Sequence, residues 1–331
     1  MQKLSIGKIR GLQQISNPDG IFTICAMDHR GSLRSMIDEE RPGEVSYEEM
    51  VEHKLELCSS LAKYASAVLL DPIFGAAQCI SRSVLPNDTG LLVSIEASGY
   101  SGGKEHRVTE LLEGWSVEKI RRMAASAVKM LVYYRPDLKQ LASQQLSTIN
   151  KVATECVKYD IPFLVEPLSY PIGNEVYNPS EFAALKEELV IKTAQEITAL
   201  PIDVLKAEFP ADLGYQSDRS KLLNLCQQLD MASKVPWVVL SAGVDFAQFY
   251  QEVEIACRAG ASGFLGGRAI WQEAVHIDNK IERVRFLSTV GVDRLKRLIE
   301  VTDRYAVPWY KKLGATAQEL APTSERWYRE Y

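Results

Sequence analysis

Short apolar runs recur along the chain, and each is followed by a stretch that reads as an amphipathic helix. The runs cover residues 22–27, 67–70, 91–95, 127–133, 162–165, 204–208, 237–240 and 263–265. Most are nearly continuously apolar, the pattern of parallel strands covered on both faces. The intervening stretches 47–64, 138–159, 180–200 and 246–259 are long enough to be crossover helices. Eight strand-then-helix units with no low-complexity or linker segment between them predict an α/β fold of the (β/α)8 TIM-barrel type, one domain over residues 1–331. Leu295, Leu298 and Ile299 fall on a helical period and predict an extra C-terminal helix over 291–313, packed on the barrel. A doubly wound open sheet is the alternative. It usually carries a glycine fingerprint after its first strand, and Met27-Asp28-His29-Arg30-Gly31 is not one.

Composition narrows the class. Of 331 residues, 46% are hydrophobic and 24% charged, enough apolar side chains for a large core and incompatible with disorder, collagen or coiled coil. Lys and Arg total 38 against 43 Asp and Glu, a net charge of −5, and no basic stripe points to nucleic acid or an anionic membrane. Residues 1–10 lack an apolar core of signal-peptide length and no apolar run approaches a membrane span, so a soluble, cytoplasmic protein is expected. Six cysteines without a CxxC pair are expected to be reduced, buried thiols. Four histidines (His29, His53, His106, His276) show no metal-ligand spacing, so neither a protein-built metal site nor a metal cofactor is expected. Asn87-Asp-Thr89 reads as a polar turn.

In a barrel of this kind the chemistry sits at the C-terminal ends of the strands. Charged residues in or just after the apolar runs are therefore the informative ones: Asp28-His29-Arg30, Lys129, Glu166, Lys206 and Glu208. An inward lysine loses hydration of its ammonium, and a second lysine nearby repels it; both effects favour the uncharged amine. A neutral amine is the nucleophile that Schiff-base chemistry on a ketone or aldehyde requires, because the resulting iminium accepts the electrons of a breaking carbon–carbon bond. Lys206 and Glu208 are two apart and share a strand face, and Lys129 lies two strands away. A salt-bridged polar layer without catalytic part is the plain alternative for Lys129, Lys206, Glu166 and Glu208. Ser241-Ala242-Gly243, and Gly266-Gly267-Arg268 before a helical stretch, read as a phosphate cradle built from backbone amides, a helix start and a forked donor. Ser101-Gly-Gly-Lys104 lacks the leading glycine of a nucleotide loop and reads as a mobile loop after the third strand, and Tyr133-Tyr134 reads as barrel packing.

These residues carry a resemblance to a known family. The chain resembles the class I tagatose-1,6-bisphosphate aldolases and the related sulfofructose-phosphate aldolases over nearly its whole length. The likeness lies in Ala26-Met-Asp-His-Arg-Gly31, Tyr64-Ala-Ser to Leu70-Asp-Pro72, Ala127-Val-Lys-Met-Leu-Val-Tyr-Tyr134, Pro162-Phe-Leu-Val-Glu-Pro167, Asp203-Val-Leu-Lys-Ala-Glu-Phe-Pro210 and, most specifically, residues 236–271. The resemblance implies a (β/α)8 barrel that cleaves a phosphorylated ketose, tagatose 1,6-bisphosphate first, to dihydroxyacetone phosphate and a three-carbon aldehyde. It implies Lys206 as the Schiff-base lysine, Glu166 as acid/base, and Asp28 and Lys129 as a supporting charged pair. Ser241, Gly243, Gly267 and Arg268 match its phosphate-binding turns, and Arg30 is expected at the far anionic group of the substrate. No cofactor or metal is needed, and the expected partners are the phosphorylated or sulfonated ketose and further copies of the chain in a homo-oligomer. The family's first motif usually reads Phe-Asp-Gln-Arg-Gly where this chain has Met27-Asp28-His29-Arg30-Gly31, and Ala261-Ser-Gly-Phe-Leu265 is closer to the sulfosugar branch, which makes a sulfofructose-phosphate aldolase the second reading. A metal-dependent aldolase and a non-catalytic phosphosugar sensor complete the alternatives.

Overall fold

Eight parallel strands close on themselves in chain order: β1 (Phe22–Ala26), β2 (Ala67–Leu70), β3 (Gly90–Ser94), β4 (Ala127–Tyr133), β5 (Phe163–Leu168), β6 (Val204–Ala207), β7 (Trp237–Leu240) and β8 (Gly263–Gly266). The computed structural model describes residues 4–321, 323–329 and 331; residues 1–3, part of the N-terminal stretch read above, lie outside them. Thr23 pairs Phe264 and Ile24 pairs Ala67, so β1 is bonded on both sides and the sheet has no edge. The predicted runs and the observed strands agree to within a residue or two, except that β5 extends to Leu168.

Alternation along each strand decides which side chains fill the barrel. Phe22, Ile24, Ala26, Ala67, Leu69, Leu92, Ala127, Leu164, Val204, Val238 and Leu265 point inward and pack as one apolar cluster. The intervening residues, among them Cys25, Val68, Val93, Val128, Val165, Leu205 and Phe264, face the surrounding helices. Each fully buried aliphatic side chain stabilises the fold by about 1.5–3 kcal/mol. The same two-residue step, continued toward the C-terminal strand ends, arrives at Lys129 after Ala127, Glu166 after Leu164 and Lys206 after Val204. A charged layer thus rests on an apolar one.

The helices begin where their sequences provide caps. Ser46 accepts from the Glu49 amide while the Glu49 carboxylate accepts from the Ser46 amide at 2.8 Å, starting the helix Tyr47–Leu61, which runs on into a 3-10 turn at Ala62–Tyr64. Lys139–Lys158, Pro179–Ile197 and Phe246–Arg258 occupy the other predicted helical stretches. The C-terminal segment differs from the single helix expected over 291–313. It forms Val292–Tyr305 and, separately, Trp309–Lys312, because Ala306 is extended and Pro308 cannot continue a helix. A helix that the strand-counting did not anticipate, Ile6–Ile15, buries Ile9, Leu12 and Ile15; Leu12 and Ile15 join Trp309 in closing the N-terminal end of the barrel. The six cysteines are free and buried. Among the described residues no helix is long and apolar enough to cross a membrane.

Candidate active site

Five strand ends, those of β1, β3, β4, β5 and β6, bring five charged side chains together above the apolar layer. Lys129, on β4 and 1% exposed, is the hub. Its Nζ donates to Asp28 Oδ2 at 2.7 Å and Glu96 Oε1 at 2.7 Å, and lies 2.9 Å from Glu166 Oε2. The other oxygen of Glu166 takes Lys206 Nζ at 2.6 Å. Lys206 is 5% exposed and lines a cavity of about 240 Å³ together with Glu166. A larger cavity of about 660 Å³ at the opposite end of the barrel is lined by Gln13, Asn17, Asn87, Asp88, Trp309 and Tyr310 among others, with no lysine, glutamate, cysteine or histidine, so the chemistry belongs to the smaller one.

Charges in this layer are settled by their neighbours. Burial works against the Lys129 ammonium, but the carboxylates of Asp28, Glu166 and Glu96 outweigh it and keep the group protonated well above the usual lysine range. For Asp28 burial favours the neutral acid, yet Lys129 and then Lys206 hold it ionised, well below the usual carboxylate range. His29 is pushed down to about 3, by burial first, with Arg268, Lys54 and Lys206 adding to it and Asp28 opposing. It is therefore a neutral ring at physiological pH, stacked edge-on against Trp271 at 5.1 Å. Among the described residues no group of three or more His, Cys, Asp and Glu is placed to hold a metal ion.

One wall of the cavity holds the turns expected from sequence to receive an anion. After β7, Ala242 and Gly243 take left-handed backbone angles, φ 45° and 86°, and the Gly243 Cα lies so close to Arg268 that a Cβ there would stand 2.8 Å from Cζ. Gly267 opens the helix Arg268–Val275, and its amide donates to Ser241 Oγ at 3.4 Å. A Cβ on Gly267 would meet His29 Cε1 at 2.8 Å. Arg268 lines the cavity, and its buried Nε has no acceptor among the described residues. Burial lowers its pKa against the opposing pull of Glu166 and Asp28. An arginine left short of acceptors beside a helix start and two tight turns has donors that an oxyanion can accept from.

Asp28, Lys129, Glu166, Lys206, Ser241, Gly243, Gly267 and Arg268 thus gather at one end of the barrel. Arg30 is not brought into the cavity, and Glu208 lines it without joining the lysine layer. Arg30 is 8% exposed, leans on Glu96 with Nη2 3.8 Å from Oε1, and is not among the cavity-lining residues. Glu208 sits at the rim, where it accepts from the Ser169 amide and hydroxyl, each at 2.7 Å, and pairs with Lys186 at 3.5 Å rather than with the lysine layer. Glu96 and Arg107 were not singled out from sequence. Glu96 follows Leu92 and Ser94 in the inward alternation of β3, a signal that was there to follow. Arg107 lies on the segment after β3, which is a ribbon closed by the antiparallel bridges Glu96↔Leu111 and Ser101↔Val108 rather than a plain loop. Of the two tyrosines read as packing, Tyr134 is buried and donates to Glu196, whereas Tyr133 lines the cavity.

The strand-one end is fixed from outside the barrel. Lys54, on the helix Tyr47–Leu61, donates to the carbonyls of Met27 and His29, on either side of Asp28, and pairs with Asp71 at 2.9 Å. Asp71 Oδ1 in turn accepts from the amides of Ile73 and Phe74 at 2.9 and 2.8 Å.

The sequence profile of the DeoC/LacD family aldolases matches residues 22–273. Tagatose 1,6-diphosphate aldolase 1 of Streptococcus pyogenes serotype M3 is 31% identical over 327 residues, covering 94% of this chain and 99% of that protein. The tagatose 1,6-diphosphate aldolase of Listeria monocytogenes serotype 4a is 31% identical over 335 residues, covering 95% and 97%. Among solved structures, the fructose-bisphosphate aldolase of Plasmodium falciparum superposes with a TM-score of 0.68 at 14% identity, over 92% of this chain and 98% of that one. A Schiff base forming fructose-1,6-bisphosphate aldolase superposes with a TM-score of 0.57 at 19% identity, over 85% and 97%. At those identities the structural likeness is one of fold.

Proposed function

The chain belongs to the DeoC/LacD family of aldolases, and on that premise we propose that it is a Schiff-base aldolase cleaving tagatose 1,6-bisphosphate reversibly to dihydroxyacetone phosphate and glyceraldehyde 3-phosphate, the whole chain acting as one barrel domain. The observation that carries the reading is the 2.6 Å contact between Lys206 Nζ and Glu166 Oε1, inside a cavity that also holds the Arg268 cradle. Passing the ammonium proton to Glu166 leaves Lys206 a neutral nucleophile for the C2 ketone. The carbinolamine loses water to give the iminium, with Glu166 returning the proton to the departing hydroxyl. Removal of the C4 hydroxyl proton by Glu166 breaks the C3–C4 bond; its electron pair moves to the iminium nitrogen as an enamine and the aldehyde departs. Protonation at C3 and addition of water then release dihydroxyacetone phosphate and restore the amine.

The other groups have supporting parts. Lys129, held protonated, faces the second oxygen of Glu166 and contributes positive potential for an anionic substrate. Asp28 stays ionised and anchors Lys129 at 2.7 Å. Ser241, Gly243, Gly267 and Arg268 receive the C1 phosphate. The substrate assignment takes its support from the relatives named tagatose 1,6-diphosphate aldolase.

The test is borohydride reduction in the presence of dihydroxyacetone phosphate, which is expected to add that ketone's reduced mass to the peptide containing Lys206. Turnover of tagatose bisphosphate, fructose bisphosphate and sulfofructose phosphate is compared in parallel, with and without chelator. No adduct, together with activity lost to the chelator, overturns the reading.

A further inference from the structure

Resting on the aldolase reading above, we infer that Arg107 is the receptor for the substrate's second anionic group, the tetrahedral oxyanion on the carbon farthest from Lys206. Three arginines, Arg30, Arg107 and Arg135, follow the ends of β1, β3 and β4, and their surroundings separate them. Arg135 is held by Asp137 and Glu175 at 2.7 and 2.6 Å, and Arg30 leans on Glu96. Arg107 pairs with no carboxylate among the described residues. Its guanidinium instead lies 4.6 Å from the ring centre of Tyr170, 4.8 Å from that of Tyr100 and 5.4 Å from that of Tyr133.

Those rings hold the cation in place without spending its charge. Tyr100 and Tyr133 meet edge to face at 5.0 Å, and Tyr133 and Tyr170 at 6.1 Å, so the cage is itself braced. The backbone of Arg107 is tied down by Gln145, whose Nε2 donates to its carbonyl at 3.1 Å. Arg107 Nε is satisfied by the Lys104 carbonyl at 3.1 Å, which leaves the two terminal amino groups without a protein acceptor among the described residues. Two parallel N–H donors of this kind match two oxygens of a phosphate or sulfonate.

Position completes the argument. Arg107 and Arg268 line the same cavity, one from the ribbon after β3 and one from the turn after β8, with Lys206 of β6 also in its wall. In a ring of eight strands those are three positions apart, so the two guanidinium groups approach the cavity from separate parts of its wall. A ketose with an anion at each end would place its C2 at Lys206 and its termini on the two arginines.

Arg107→Met and Arg107→Lys are compared with the unsubstituted enzyme on tagatose 1,6-bisphosphate, on sulfofructose 1-phosphate, and on tagatose 1-phosphate, which has no distal anion. With Arg107→Met, KM for the two doubly anionic substrates is expected to rise on the order of 30-fold, the loss of one charge-assisted forked contact. The kcat/KM for tagatose 1-phosphate and borohydride trapping of dihydroxyacetone phosphate on Lys206 stay within about twofold, a selectivity that lost packing alone would not produce. Arg107→Lys recovers part of the KM. Whichever doubly anionic substrate has the higher kcat/KM in the unsubstituted enzyme identifies the anion. An equal loss on all three substrates, or no loss on any, overturns the assignment. Absence of trapping in the unsubstituted enzyme overturns the aldolase reading instead; Arg107 is then judged by calorimetry, and stands only if its substitution weakens binding of the bisphosphate more than that of the monophosphate.

Discussion

Lys54 and Asp71 meet at 2.9 Å with neither side chain reached by solvent, and through Lys54 the pair grips the carbonyls on both sides of Asp28. The Asp28 carboxylate that anchors Lys129 is therefore placed from outside the barrel. Lys54→Met strands a buried carboxylate and two carbonyls, and its expected cost is about 3–5 kcal/mol of stability. Lys54→Met combined with Asp71→Leu recovers much of that in urea unfolding but not the kcat, since the carbonyls beside Asp28 are still unheld. Recovery of both stability and kcat in the double variant would falsify the positioning role.

Glu166→Gln keeps the shape of the side chain but can neither take nor return a proton. Lys129 retains Asp28 and Glu96, so the layer stays assembled. The expected outcome in steady-state kinetics is a fall in kcat on the order of a hundred- to ten-thousandfold with KM changed far less. A loss confined to KM would assign Glu166 to binding alone.

Gly243→Ala is strained twice over, by a φ of 86° and by a Cβ 2.8 Å from Arg268 Cζ. Arg268 must shift to admit the methyl group, and the phosphate loses its forked donor. A KM increase of about tenfold or more, with kcat nearly kept, is expected. Unchanged KM for every phosphorylated substrate would remove this turn from the cradle.

Away from the site, Glu252 is buried on the helix Phe246–Arg258 and its pKa is raised to about 7 by burial, against the pull of its Gln248 hydrogen bond and Lys186. A carboxyl whose folded value lies above its unfolded one binds more protons when folded. Its penalty is absent below the ordinary glutamate range and grows as pH rises through about 7. Glu252→Gln is expected to stabilise the protein at pH 8, on the order of 3 kcal/mol, and to change it little at pH 4. Urea midpoints of both proteins at the two pH values check the sign, and equal midpoint shifts at both would contradict it.

The barrel was legible in the chain from its eight apolar runs and the helical stretches between them, and the buried lysines from charges inside those runs; in the fold, their placement follows the two-residue alternation. That alternation separates Leu164 from Val165 as inward and outward residues and leads on to Glu166, and it does the same from Val204 to Lys206. Glu96 obeys the same rule and stands directly after its apolar run, yet it was not singled out. The helix Ile6–Ile15 has apolar residues at three-residue spacing, Ile6, Ile9, Leu12 and Ile15, yet a strand-led reading has no place for a helix before the first strand. Arg107 could not be found that way. Its setting is made by rings from β4, from the ribbon and from the segment after β5, which are adjacent only once the barrel has closed. Arg30 stands two residues after Asp28, but its guanidinium turns to Glu96 at 3.8 Å rather than into the cavity, a direction that the sequence does not carry.

Ile24, Leu69, Leu92, Leu164, Val238 and Leu265 pack as a buried apolar plug beneath Lys206, with Leu12, Ile15 and Trp309 in the same cluster below them. Among the described residues that plug leaves the strand-end side of the cavity as the way in and out. In the proposed reaction the two fragments cannot exit by separate routes: the one not bonded to Lys206 must clear the entrance first, and the bonded one follows after hydrolysis. In the synthetic direction the queue reverses. A stoppered barrel of this kind dictates an order of arrival and departure through its static shape, with no moving part required to enforce it.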